Sequence, residues 1–249
     1  MRAILTYHSI DPSGSPISVA PEEFRSHVRW LAAGKVKVVP LADLLALPAE
    51  QDAVALTFDD GFVNFAEIAA PLLRDHGLPA TVFVVSGHAG GSNAWGGHTD
   101  PRVPTLSLLD WDALGCLTEG GVTLGAHTRT HPHLTAVPVI ERSEELLGAS
   151  ATIQERTGQR PEQFAYPYGD LDASVVEAVR PIYRLAVTTE LRALGASEDA
   201  VQLPRLDMFY LRAPGQLEAW GSARFSRTLW LRAQARRARS TLAAVLGGW

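Results

Sequence analysis

Short apolar runs alternate with longer stretches of helical spacing along most of this chain. Residues 3–7, 54–58, 80–85, 121–126, 164–166 and 185–188 are brief and largely apolar, so they read as buried strands, with 36–39 a further short one. Between them, Phe24, Val28 and Leu31 recur behind Pro21 and predict a helix to about Ala33. Residues 41–47 predict a short helix. Phe65, Ile68, Leu72 and Leu73 predict one bent at Pro71 and stopped at Gly77. Ser107 with Asp110 suits the start of a helix carrying Trp111, Leu114 and Leu117. A long helix follows from about Pro138 to Thr157, ended by Gly158, and Asp172 caps another through Val179. Strands alternating with helices at this pitch imply parallel βαβ units, an α/β chain with its chemistry at the strand C-terminal ends. No internal repeat or interdomain linker interrupts the pattern.

Two segments break it. Residues 9–20 are rich in Ser, Pro and Gly and read as a loop. Residues 87–104 hold five glycines, His88, His98 and Trp95. An irregular stretch that long usually serves a site, so it is expected to form a substrate-facing lid.

The strand at 54–58 ends in Asp59-Asp60-Gly61. Neighbouring strand residues point to opposite faces, so the two carboxylates take different jobs, and Gly61 permits a sharp turn. In isolation this tripeptide also suits a polar strand-to-helix loop with an N-cap aspartate. A second strand runs into His127-Thr128-Arg129-Thr130-His131, which places two imidazoles about one helical turn apart. One carboxylate and two imidazoles, with positions left open, fit a catalytic rather than a closed structural metal site.

Thr57-Phe58-Asp59-Asp60-Gly61, His127-Thr128-Arg129-Thr130-His131 and Phe164-Ala165-Tyr166-Pro167-Tyr168-Gly169, in that order, resemble the first three motifs of the polysaccharide deacetylase family. This is the group with the NodB homology domain, carbohydrate esterase family 4, and the likeness runs from about Tyr7 to Leu206. The resemblance implies a distorted, incomplete (β/α) barrel and a hydrolase that removes N-acetyl groups from amino sugars of a glycan or glycan precursor. It implies that Asp60, His127 and His131 bind one divalent cation, Zn²⁺ first, with Co²⁺ or Ni²⁺ as alternatives, and that Asp59 is the general base. It also implies that a backbone N–H at Tyr168 helps hold the oxyanion, with Tyr166 and Pro167 of the same motif lining the groove; Trp95 is expected to face the substrate from the lid loop. The rings of Tyr166 and Tyr168 suit packing equally well.

Two departures qualify the likeness. Ala165 stands where the family has an arginine that orients the base, and Arg205 is the candidate substitute against an ordinary surface arginine. No histidine follows His133, so the usual C-terminal leaving-group histidine is missing. Tyr7-His8-Ser9 resembles the permuted arrangement of family members acting on poly-N-acetylglucosamine, which makes His8 the expected general acid. Alternatives are an O-acetyl esterase or small-amide hydrolase on the same metal site, or a catalytically silent glycan-binding module.

Composition adds limits. A net charge of −5 argues against a dedicated nucleic-acid binder. Cys116 is the only cysteine, so no intramolecular disulfide can form, and the opening residues are too short an apolar run for a signal peptide. A cytoplasmic location is expected. Residues 1–215 are assigned to the catalytic domain and 216–249 to a basic helical extension. From Ser222 onward there are six arginines and no carboxylate side chain. Leu231, Ala235, Ala238, Leu242 and Val245 fall on one stripe, with Arg232, Arg236 and Arg239 largely off it. Such a helix either lies on an anionic membrane surface or packs on the barrel with its arginines solvated.

Overall fold

The computed structural model describes residues 1–97 and 100–245, with side chains through Ala238. Seven parallel strands form the centre: β1 Arg2–Tyr7, β2 Ala53–Phe58, β3 Ala80–Val84, β4 Thr123–Ala126, β5 Gln163–Ala165, β6 Leu185–Leu191 and β7 Leu203–Asp207. Their order is β1-β7-β6-β5-β4-β3-β2, and β2 pairs back onto β1 in register, Arg2 with Ala53 through Tyr7 with Phe58. The ring therefore closes, with seven strands rather than eight. Lys37–Val38 adds a short parallel strand against the start of β2.

Alternation along the strands sorts side chains into two layers. Ile4, Ala53, Ala55, Phe83, Ala165, Val187 and Leu203 cluster in the interior. Leu5, Val54, Leu56, Phe58, Val82, Val84 and Phe164 join helix residues such as Phe24, Leu114, Ile153 and Val176 in the larger outer core. Besides short helical segments at Leu41–Leu44 and Val139–Ser143, the helices are α1 Pro21–Ala32, α2 Ala70–Asp75, α3 Trp111–Glu119, α4 Ala149–Thr157, α5 Ala173–Val179 and α6 Ala223–Val245. Asp110 and Asp172 cap α3 and α5 by accepting from the Ala113 and Val175 N–H groups.

Three expectations change. The helix after Gly61 is a π-helical turn, Phe65–Ala69, running into α2, because Pro71 has no N–H to continue the regular ladder. The long helix likewise contains a π turn at Glu144–Gly148 before α4. β7 was not expected as a strand, since Pro204 interrupts its pattern; the ladder with β6 shifts register between Leu203 and Arg205, where that proline sits.

In α6, Phe225 and Leu229 are buried and Ala233 packs against the core. Arg232 donates to Gln216 and Arg237 to Glu190. The packed face is thus not the expected apolar stripe: Leu231 is 51% exposed, and Ala235 and Ala238 are also exposed. The side chains of Arg239, Leu242 and Val245, and all of His98, lie outside the described residues.

Candidate active site

Strand alternation delivers the site to the C-terminal mouth of the barrel. On β2 the inward series Ala53, Ala55, Thr57 continues to Asp59; on β1, Ile4 and Thr6 lead to His8; on β7, Leu203 leads to Arg205. Asp60 would point away by the same rule. Its left-handed backbone, φ +70°, followed by Gly61 at +78°, turns it back toward the mouth. Among the described residues, the non-glycine positions with positive φ are Asp60, Thr128, His131 and Tyr168, all at this mouth. Strain of about 1–3 kcal/mol per such residue is stored here and offset by packing elsewhere.

Asp59 is locked by Arg205. The guanidinium donates to both carboxylate oxygens, at 2.6 and 2.7 Å, with both groups buried. Its Nε donates to the Thr188 carbonyl at 2.8 Å and its Nη1 also donates to Thr6 Oγ1 at 2.8 Å. Burial alone would raise the Asp59 pKa; the Arg205 charge, then His8, outweigh it and hold the carboxyl below its usual range. His8 Nε2 lies 3.6 Å from Asp59 Oδ2 and is partly open to solvent. Ala165 shares the interior layer with Phe83, over which the Arg205 guanidinium lies at 6.0 Å.

Asp60, His127 and His131 each offer a ligand atom, all within 4.8 Å of one another, and all three are buried. His127 Nδ1 donates to the Ala165 carbonyl at 2.7 Å, which leaves its Nε2 lone pair facing Asp60. The Nε2 atoms of both histidines stand 3.5 Å from Asp60 Oδ1. That oxygen accepts no hydrogen bond although it is buried. Burial raises the Asp60 pKa, whereas burial and the neighbouring His127 hold His131 well below its ordinary value. Two imidazoles beside a carboxylate oxygen that accepts no hydrogen bond are the donor set a borderline divalent cation takes, and such a cation would satisfy the orphaned oxygen. The residues fit a metal.

The two histidines do not converge by a helical turn, as their spacing suggests. Residues 127–131 form an irregular loop with left-handed backbone at Thr128 and His131. The His131 N–H donates to Thr128 Oγ1 at 2.9 Å, and the Glu145 carboxylate accepts the Arg129 and Thr130 N–H groups and the Thr130 hydroxyl. Sequence reading missed Glu145, because its partner loop is distant in sequence and a surface glutamate on a helix carries no signal. It also missed Asp207, although spacing on one strand puts it on the Arg205 face. Desolvation raises its pKa against the pull of nearby His8.

A cleft of about 1020 Å³ opens over these groups. The 87–104 loop supplies Asn93, Trp95, Asp100 and Arg102 to its wall. Trp95 stacks on His131 at 4.4 Å, and His88 meets the Trp95 edge at 5.1 Å. Tyr168, 48% exposed, stacks on His133 at 4.0 Å and meets His131 edge-on. The Tyr166 ring is fully buried, and its hydroxyl donates to the Val201 carbonyl. Its ring is therefore held by packing, while the residue contributes to the lining of the cleft. Pro167 is buried at the start of the turn that positions Tyr168. A Cβ on Gly169 would lie 1.9 Å from Thr189 Oγ1, so this turn tolerates no side chain there.

The sequence profile of the polysaccharide deacetylase family matches residues 46–182, more than half of the chain. The poly-β-1,6-N-acetyl-D-glucosamine N-deacetylase of Staphylococcus aureus is 31% identical over 203 residues, spanning 76% of this chain and 67% of that protein. Two solved structures share the fold. IcaB from Ammonifex degensii superposes with a TM-score of 0.71 at 24% identity, covering 90% of this chain and 96% of that one. The Streptococcus pyogenes deacetylase PplD gives 0.69 at 22%, covering 82% and 91%. His8 and Arg205 lie outside the profile's span, while both aspartates and both histidines lie inside it. The chain belongs to the polysaccharide deacetylase family.

Proposed function

We propose that this cleft removes N-acetyl groups from a β-linked polymer of N-acetylglucosamine, leaving free amines and acetate. As a member of its family the chain is a metal-dependent carbohydrate deacetylase. One observation carries the assignment of its site: a buried Asp60 oxygen without donors, beside two imidazole nitrogens, next to a second carboxylate already neutralised by Arg205. The named activity of the Staphylococcus aureus relative and an open cleft of about 1020 Å³ support a polymeric substrate.

In this reading Asp60, His127 and His131 hold the cation, Zn²⁺ by preference for such a ligand set. When bound, the cation supplies Lewis acidity that makes water nucleophilic near neutral pH and polarises the acetyl carbonyl. Asp59 takes the proton of the attacking water as its oxygen bonds to the acetyl carbon, and Arg205 fixes the plane of that carboxylate. The Tyr168 N–H faces the oxygen on which charge develops. His8 gives a proton to the nitrogen as the C–N bond breaks, so the amine leaves neutral and acetate remains. Trp95 and the Tyr168 ring present aromatic faces to the sugar. His8 and Arg205 thereby fill both roles whose absence from the usual motifs would suggest a silent binding module.

Acetate release from β-1,6-linked N-acetylglucosamine oligomers, chitin oligomers and acetylated xylan, compared side by side, tests the substrate. Turnover of the first above the others is expected. Release from xylan alone would make the enzyme an esterase, and release from none of the three would overturn the glycan reading. His8→Ala should lower kcat about 10²-fold with full metal content by elemental analysis; an unchanged rate removes His8 from the reaction. Glu145→Ala, which frees the His127–His131 loop, should weaken metal affinity about 10-fold in competition with a chromogenic chelator.

A further inference from the structure

We propose that the outward face of α6 is a docking surface for an anionic lipid bilayer. The helix spans Ala223–Val245, roughly 34 Å at the usual rise, and it uses one side to hold the barrel. Phe225, Leu229 and Ala233 pack inward, with Arg232 and Arg237 tied to Gln216 and Glu190. The other side is left facing solvent. Trp230 is 60% exposed and Leu231 51% exposed, and the exposed Ala235 and Ala238 continue the same strip. Helical spacing places exposed Arg224 and Arg227 on or beside that strip.

Charge selects the occupant. Against a whole-chain net of −5, the six arginines beyond Ser222, with no carboxylate among them, leave the preceding residues at −11. A strongly acidic body would be repelled by an anionic surface unless it approached through this helix, so Arg224 and Arg227 on its exposed face set the orientation of contact. An indole and a leucine beside guanidinium groups match the boundary between headgroups and acyl chains, where tryptophan is favoured. Among the described residues no helix is long and apolar enough to cross a membrane. A single amphipathic face gives reversible, salt-sensitive attachment.

The full chain is tested by co-sedimentation with vesicles of phosphatidylcholine alone and of phosphatidylcholine mixed with phosphatidylglycerol. Binding to the mixed vesicles, weakened by salt and absent from the neutral ones, is expected. Arg224→Gln with Arg227→Gln should lower the partition coefficient at least ~10-fold, since each basic residue near the surface contributes about fivefold. Trp230→Ser with Leu231→Ser should lower it at least as far, and neither pair should alter acetate release from soluble oligomers. These side chains are exposed and carry no part of the catalytic reading, so either proposal can fail alone. The inference is overturned if the wild-type chain stays in the supernatant with anionic vesicles at low salt, or if the variants sediment as it does. It is equally overturned if the chain is a dimer in solution that Trp230→Ser with Leu231→Ser converts to monomer, which would assign the face to a second copy.

Discussion

Asp59→Asn should yield a protein that folds and takes up its cation in full, yet releases acetate about 10⁴-fold more slowly, the upper end for loss of a general base. The size follows from the surroundings. Asp60 is the neighbouring carboxylate, and in the proposed assignment its free oxygen faces the cation, so it cannot take over as base. Asparagine keeps the shape and one acceptor for Arg205 but cannot accept a proton from water. The same change leaves the Arg205 guanidinium without its counter-charge, so the unfolding midpoint should fall as well. Metal content by elemental analysis, set beside acetate release, separates the two effects. An active Asn variant, or an inactive one without metal, would remove Asp59 from the role of base.

The second large effect is expected at Arg205→Met. Removing one member of a fully buried, doubly hydrogen-bonded ion pair costs about 3–5 kcal/mol of stability, because the remaining charge stays desolvated. The pH dependence has a definite sign. The Asp59 carboxyl is held below its ordinary range in the folded protein. Its contribution to stability is therefore present above the unfolded value of about 3.9 and is lost as pH falls through the folded value. In the Met variant burial is left unopposed by Arg205 and the carboxyl rises. The acid limb of kcat/KM should move to higher pH, and the stability gap between variant and wild type should narrow on acidification, beginning where the raised carboxyl of the variant takes up its proton and continuing from about 3.9 down through the depressed folded value of the wild type. Arg205→Lys should recover part of the stability but little of the rate, since an ammonium cannot form the two parallel bonds. Denaturant unfolding across pH, with a pH–rate profile, reads both. A Met variant with wild-type stability and an unmoved acid limb would show the pair to be incidental.

Much of this architecture could be read from local pattern. Strands at the two motifs, caps at Asp110 and Asp172, and stops at Gly77 and Gly158 all rest on interactions within a few residues. What escaped reading was non-local. β7 carries Pro204, which ordinarily argues against a strand, and only the register shift beside β6 shows how the proline is accommodated. The His127–His131 spacing suggested that the two rings meet, but by a different geometry. The rings converge through left-handed backbone and a loop held by Glu145, which no periodicity encodes. Arg205 could be nominated from the gap at Ala165, but its place against Asp59 depends on a barrel closing across 146 residues. The C-terminal stripe was visible in the spacing of Leu231, Ala235 and Ala238; which side of the helix would meet the barrel was not.

Closure of the ring by β1 against β2 and β7 also governs when the site can exist during synthesis. At ribosomal rates of roughly 5–20 residues per second, β1 emerges some ten seconds or more before Arg205 does. Through that interval the nascent barrel keeps two unpaired edges, and the carboxylate destined for its centre has no guanidinium to meet. Partially synthesised chains should therefore be clients of chaperones and proteases until the seventh strand is out, and no shortened product would carry a working fraction of the activity.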